Sequence, residues 1–197
     1  MASIRAKWLR LSEETNALDY LEKAHLFLNN VDQDKRAWKW VILCLHTSIY
    51  GWAICTLRGT NPDRVTITTN KGREKLISFP EAIARCQNPR FMKMTISSKV
   101  LLLSPSQRES IRLLKSVFRD NFEHFIPKAW SIEIHGFPRM AIDILEVIRF
   151  LALESGNYTH LSHSEMRRVR SLVHQSIRLI RQMRLYQESL VAASARG

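Results

Sequence analysis

The residues best suited to chemistry in this sequence are Arg119 and His124, five positions apart in a segment that also holds Asp120, Asn121 and Glu123. Histidine titrates near neutral pH, so it can take a proton from a 2′-hydroxyl or give one to a leaving 5′-oxygen. Arginine can hold a scissile phosphate and stabilise the charge that grows on it. Asn121 can orient the histidine or a phosphate oxygen. These groups are sufficient to cut RNA without a metal, although one histidine cannot easily serve as both base and acid. Two copies in a dimer would serve better.

A long helix over about 105–125 is predicted to position this segment. Its start is marked by Ser104 and Gln107, which have the spacing of a capping box, and Pro127 marks its end. At 100° per residue the apolar residues of this helix fall within an arc of about 80°; they are Ile111, Leu114, Phe118, Phe122 and Phe125. The motif residues Arg119, Asp120, Glu123 and His124 fall on the opposite side. We therefore expect them to point outward. In an alternative interpretation Arg119 pairs with Glu123, Asp120 pairs with His124, and the face is only solvated.

The motif and its place in the helix resemble the HEPN superfamily (higher eukaryotes and prokaryotes nucleotide-binding). Its general motif is Arg, four to six residues, then His, often with a polar residue after the Arg. Here Arg119, Asp120 or Asn121, and His124 fill these places. The helix order over about 10–154 fits loosely, and residues 124–133 resemble an uncharacterised bacterial HEPN-like family. HEPN toxins that are silenced by AMPylation carry a Tyr two residues after the His. This chain has Ile126 at that position, so the resemblance does not extend to regulation by AMPylation.

HEPN proteins are helical bundles, usually dimeric, and many are metal-independent ribonucleases of toxin–antitoxin, CRISPR or phage-defence systems. The resemblance therefore implies a homodimeric endoribonuclease whose catalytic residues are Arg119, His124 and Asn121, with Asp120 and Glu123 as accessory residues. It implies no cofactor, RNA as the partner, and an antitoxin or other protein as a possible second partner. Two alternatives remain open: a non-catalytic module that binds nucleotide, RNA or protein, and a basic DNA-associated accessory protein.

The charge of the chain also indicates a polyanionic partner. Lys and Arg number 30 against 18 Asp and Glu, giving a net charge of +12, and 20 of the 30 are Arg. A guanidinium is planar and suits phosphate. The last predicted helix carries a basic stripe opposite its apolar side, formed by Arg167, Arg170, His174, Arg178 and Arg181. The stripe can follow an RNA backbone without reading its sequence, and a solvated face that only aids solubility is the alternative.

The fold class predicted is mainly α, a HEPN-like bundle of about five helices in one domain over 1–197. Besides 105–125, helices are expected at about 13–29, 35–57, 138–154 and 160–190. Residues 60–103 read as an insertion with the only hairpin at 64–79, a short helix from Pro80 to Cys86, and an irregular link through Asn88 and Pro89.

The remaining signals favour a protein of the cytoplasm. No Cys, His, Asp or Glu cluster has metal-ligand spacing, so no metal is expected, and the three cysteines are expected to be buried thiols. The N-terminus lacks an apolar signal region, and the apolar stretch 41–57 is expected to be a helix inside the bundle rather than a membrane span. Three further predictions concern single side chains: Trp38, Trp40 and Trp52 pack in the core, His46 is a satisfied core histidine, and Trp130, in the loop beyond the motif, is the aromatic residue of interest for ligand contact.

Overall fold

The computed structural model describes residues 7–69, 71–123, 129–157 and 159–194, and over these residues the chain is mainly helical with one small hairpin. The predicted mainly-α class with a β-hairpin between the second and third long helices is confirmed at this level. The helices surround one apolar core, and its largest fully buried side chains include Trp38, Trp52, Leu45, Leu114 and Ile144.

Helices α1 (Glu13–Leu28) and α2 (Ala37–Arg58) pack closely, within a few residues of the predicted bounds. The capping box at the start of α1 uses Thr15, whose backbone N–H donates to the Ser12 hydroxyl. The close approach of the two helices requires Gly51, because a Cβ atom there would lie 2.8 Å from that of Ala17.

Helix α2 forms the centre of the bundle. By length and composition it is a helix that could cross a membrane, but most of its apolar window is buried inside the protein. Trp38, Leu45 and Trp52 are nearly or completely enclosed. The prediction that this apolar stretch is a helix within the bundle is confirmed.

The hairpin pairs β1 (Thr66–Thr68) with β2 (Glu74–Leu76) in antiparallel register, with Ile67 opposite Lys75. Its strands are shorter than the sequence predicts and largely exposed. The flanking Val65 and Ile77 are buried in the core, and the Ile77 N–H donates to the Val65 carbonyl at 2.9 Å.

The insertion continues as two short helices, α3 (Phe79–Cys86) and α4 (Pro89–Met92). The predicted short helix is confirmed, although Phe79 belongs to it rather than to the hairpin because the Ser78 hydroxyl caps the Glu81 N–H. The expectation of an irregular link at Asn88 is wrong: its side chain accepts from the Arg90 N–H and starts one helical turn.

The third long helix contains the main departure from prediction. It begins as α5 (Pro105–Leu113) with the expected Ser104 and Gln107 capping box. The chain is then π-helical over Leu114–Arg119 and becomes α-helical again in α6 (Asp120–Glu123). Because a π turn holds one extra residue, the residues that follow are rotated by about 100° relative to a regular α-helix. The predicted end of the helix, including Phe125 and Pro127, lies outside the described residues.

Helix α7 (Phe137–Arg149) continues as a π-helical segment, Phe150–Glu154, over the predicted extent. Its buried Asp143 accepts hydrogen bonds from the Ser106 and Ser110 hydroxyls, both at 2.6 Å, and so ties α7 to α5. The Thr56 hydroxyl donates to the Leu151 carbonyl at 2.6 Å and ties the π-helical segment to α2.

The predicted last helix is two helices, α8 (His163–Gln182) and α9 (Arg184–Ser194). The capping box of Ser162 and Glu165 is confirmed. A single helix to residue 190 is wrong because Met183 is extended, with ψ of 136°, and its side chain is buried. Burial of this side chain accompanies the break, and the Gln187 side chain donates to the Arg181 carbonyl at 2.7 Å.

Candidate functional site

Arg119 lies in a charged cluster, which we define as Lys115, Arg119, Asp120 and Glu123. Its guanidinium donates to Asp120 at 3.1 Å and forms an ion pair with Glu123 at 2.7 Å. The Lys115 ammonium lies 3.1 Å from the other oxygen of Asp120. Burial alone would raise the pKa of Asp120, but the hydrogen bonds from Arg119 and Lys115 outweigh it and lower that pKa. The cluster thus joins two cations to two anions across the end of the π-helical turn.

The prediction that this face points away from the core is only partly right. The Arg119 side chain is 31% exposed, and its Nε is buried without a partner among the described residues. The π-helical segment that ends at Arg119 packs against α2. The alternative pairing of Arg119 with Glu123 is present, whereas Asp120 pairs with Arg119 and Lys115.

His46 of α2 experiences the field of this cluster from inside the bundle. It is 7% exposed and packs against the Phe79 ring at 4.6 Å between centroids. Burial, assisted by the charges of Arg119 and Lys115 and opposed by that of Asp120, lowers the pKa of His46 to about 4. The burial predicted for His46 is confirmed, but the prediction that it is satisfied is wrong, because its Nε2 has no partner in the described part of the chain.

The other motif residues are placed unevenly. His124 lies outside the described residues, so the motif is described only from its arginine to Glu123. Asn121 is exposed, and its amide donates to the Val117 carbonyl of its own helix. Phe122 is half-buried and packs near Trp130 at 5.5 Å between centroids.

The basic stripe lies on the solvent face of α8, as predicted. All five of its side chains are exposed, while the opposite face is buried or nearly so. No carboxylate of the described residues pairs with any of its four arginines. The stripe consists of Arg167, Arg170, His174, Arg178 and Arg181.

Residues of the basic stripe line two separate hollows. Arg170, His174 and Arg181 line a hollow of about 370 Å³ beside α7, which also contains the Arg149–Glu154 ion pair at 2.9 Å. Arg178 lines a second hollow of about 250 Å³ on the α1 side. The structure therefore keeps the stripe on one helix face without gathering it into one pocket.

The tryptophans of α2 differ from one another. Trp38 and Trp52 are core residues, as predicted. The same prediction is wrong for Trp40, which is 48% exposed and stacks on Phe27 at 5.9 Å with an interplanar angle of 24°. Trp130, the aromatic residue of interest for ligand contact, is 38% exposed.

All three thiols are buried, and burial is the largest influence on the pKa of each. Burial raises the pKa of Cys44 to about 11 and that of Cys86 to about 12, and it raises the pKa of Cys55 as well. They are therefore neutral and unreactive at physiological pH. Within the described ranges no three His, Cys, Asp or Glu side chains are grouped to hold a metal ion.

Comparison with known proteins adds no relative. No protein-family model matches the chain. No curated protein and no solved structure matches it either. Assignment of a function therefore depends on the residues themselves.

Two features of the site were missed from the sequence. The first is the influence of the charged cluster on the pKa of His46. Arg119 of that cluster ends a π turn, and no residue pattern in the sequence predicts this turn. The exposure of Trp40 had a signal, since Lys35, Arg36 and Lys39 surround it at the start of α2. A buried face would not carry three cations so close together.

Proposed function

We propose that the protein is a HEPN-type endoribonuclease of the cytoplasm that cuts RNA without a metal, as a toxin or phage-defence effector. In this proposal the fold is a HEPN-like bundle and two copies form a composite site. Arg119 and His124 of each copy supply the chemistry, and a protein antitoxin is a candidate regulator.

The position of Arg119 carries the proposal. It stands at the end of a π-helical turn, an irregularity often found at functional sites. Two carboxylates hold its guanidinium half-exposed, which fixes its direction, and its Nε lacks an acceptor among the described residues. Because the side chain is 31% exposed while its Nε is buried, the terminal nitrogens of the guanidinium are the donors that a phosphate oxygen can reach.

The proposed reaction is transesterification within the RNA strand. His124 of one copy takes the proton of the 2′-hydroxyl, whose oxygen forms a bond to phosphorus while the bond from phosphorus to the 5′-oxygen breaks. The histidine of the second copy gives a proton to the leaving 5′-oxygen. Arg119 stabilises the charge on the phosphoryl oxygens. The products are a 2′,3′-cyclic phosphate and a 5′-hydroxyl.

The α8 stripe supports RNA as the substrate class. Its arginines are exposed and free of acidic partners in the described part of the chain, so they are available to phosphates. Contacts of this kind position a strand without reading its bases.

A second candidate function is a non-catalytic RNA-binding module of the same type. The charged cluster favours it, because its two cations are already matched by Asp120 and Glu123. To hold a phosphate, Arg119 must exchange one of these carboxylates for the substrate. In the binding module Arg119 keeps both carboxylate partners, and the charged cluster only stabilises the position of α6.

The nature of the product ends separates the two functions. Labelled single-stranded RNA is incubated with purified protein in EDTA, beside the same strand made with 2′-deoxy sugars. The ribonuclease should cut only the RNA and leave 2′,3′-cyclic phosphate ends. Binding of both strands without cleavage, in protein shown to be dimeric, would support the non-catalytic module. Cleavage of the 2′-deoxy strand would contradict the proposed reaction.

A further inference from the structure

An aromatic groove lies between the start of α2 and the residues leading into α7. It measures about 590 Å³, and its aromatic lining consists of Trp38, Trp40, Phe122, Trp130 and Phe137. Trp38 and Phe137 are buried and form the floor, while Trp40 and Trp130 are partly exposed. This volume lies within the range of small-molecule sites, which is about 300–1,000 Å³.

The aromatic walls are held in place before any ligand arrives. One side of Trp40 is supported by Phe27, which stacks on it at 5.9 Å. Trp130 packs on Phe122 at 5.5 Å, and Phe118 in turn lies 6.4 Å from Phe122. Aromatic rings that are already fixed can accept another flat ring at little entropic cost.

The rim of the groove is cationic, and no acidic side chain lines it among the described residues. Lys35, Arg36 and Lys39 stand at this rim. Arg36 pairs with Asp34 at 3.2 Å, and the Lys39 ammonium lies 5.2 Å from the Trp40 ring. Helix α2 has no acidic residue in its first turn, so the positive end of its dipole adds to this field.

We infer that the aromatic groove binds an unstacked base of single-stranded RNA, with the neighbouring phosphates held by Lys35, Arg36 and Lys39. Aromatic walls beside a basic rim match the two parts of a nucleotide, the π-face of the base and its charged phosphate. The inference deepens the proposed function and rests on it for the identity of the strand as RNA. Phe122 connects the two regions, since it lies in the motif segment and also lines the groove.

A second copy of the chain fits the groove less well. Across a two-fold axis the same surface meets itself, so the cationic rims formed by Lys35, Arg36 and Lys39 of the two chains would approach one another. Like charges in contact oppose such an association. A duplex is also excluded from the groove, because its bases present no free face.

The test is a binding measurement with a 2′-deoxy single strand, which the proposed reaction cannot cleave. Trp40→Ala and Trp130→Ala should each weaken binding by about 5- to 150-fold, the range for loss of one base-stacking contact. Trp40→Phe should retain most of the affinity. Trp8→Ala is the matched control, because Trp8 is highly exposed and does not line the groove. An abasic strand of equal length should bind the wild type and Trp40→Ala alike.

The outcomes separate this inference from the proposed function. If the protein cuts no RNA but binds single strands through their bases, and this binding requires Trp40 and Trp130, the groove inference stands and the proposed ribonuclease activity is rejected. RNA cleavage together with groove variants that bind within twofold of the wild type would reject the groove alone. Absence of strand binding by the wild type would overturn the inference. Loss of a protein dimer in Trp40→Ala with strand binding intact would also overturn it and assign the groove to a subunit interface.

Discussion

Removal of the His46 ring should make stability less dependent on pH. The side chain is buried beside Phe79, and its pKa falls from 6.5 to about 4 on folding, first through burial and then through the charge of Arg119. Between these two values the unfolded chain binds a proton that the folded chain excludes. The free energy of unfolding therefore decreases as the pH falls through this window. Above pH 6.5 the ring is neutral in both states, and below about 4 it is protonated in both, so it contributes no slope there.

The size of the effect follows from the shift. One pKa unit corresponds to about 1.4 kcal/mol, so the full shift of His46 amounts to at most about 3–4 kcal/mol between pH 6.5 and 4. Urea unfolding at pH 7, 6, 5 and 4.5 should give a steeper loss of stability for the wild type than for His46→Leu. The slope difference is the quantity to measure, because the substitution also changes packing and shifts the whole curve.

Two further variants test whether the pH dependence comes from titration of His46. His46→Gln keeps a polar side chain without a group that titrates in the window, and it should flatten the slope as His46→Leu does. His163→Leu removes an exposed histidine of α8 and should leave the slope unchanged. Parallel stability curves for the wild type and both His46 variants would refute the claim that a neutral histidine is enclosed at this position.

Three other perturbations follow from single contacts. Asp143→Asn should lower the free energy of unfolding by about 1–3 kcal/mol in chemical denaturation, because the Ser106 and Ser110 hydroxyls both donate to this carboxylate; unchanged stability would contradict that linkage. Gly156→Ala should lower the melting temperature by several degrees, since Gly156 has φ of 73° and an added Cβ would meet the Ser97 carbonyl; an unaltered melting curve would argue against this close approach. Reversing charge at Arg170 and Arg178 together should make the negative slope of log affinity against log salt for single-stranded RNA shallower by about 1.4, because two phosphate contacts are lost. An unchanged slope would show that the α8 stripe is only a solvated face.

The local signals that the sequence carries explain where prediction succeeded. Ser104 with Gln107 and Ser162 with Glu165 satisfy backbone donors through residues three apart, so a helix start can be read without knowledge of the fold. The hairpin was located by the same kind of local chemistry. Helix α2 was recognised as central because apolar residues surround it on nearly every side.

Two departures from prediction have no local sequence signal. The π turn over Leu114–Arg119 and the break at Met183 contain neither Pro nor Gly, so no local pattern marks them. The break coincides with burial of a side chain in the core. Arg119 is partly buried at the end of the π turn, and its charge helps to lower the pKa of His46. A wheel drawn at 100° per residue cannot anticipate the rotation at a π turn.

Cleavage of single-stranded RNA by His124→Ala, measured beside the wild type, tests whether His124 transfers a proton in the reaction. Loss of a general acid or base typically costs about 10²–10⁴ in rate, so this variant should cut slower by that factor and still bind the strand. His163→Ala, at an exposed histidine, should cut like the wild type. Arg119→Ala should impair both cleavage and binding, whereas Arg112→Ala, at an exposed arginine of the same helix paired with Glu109, should impair neither. Cleavage that persists in His124→Ala at the wild-type rate would contradict the account.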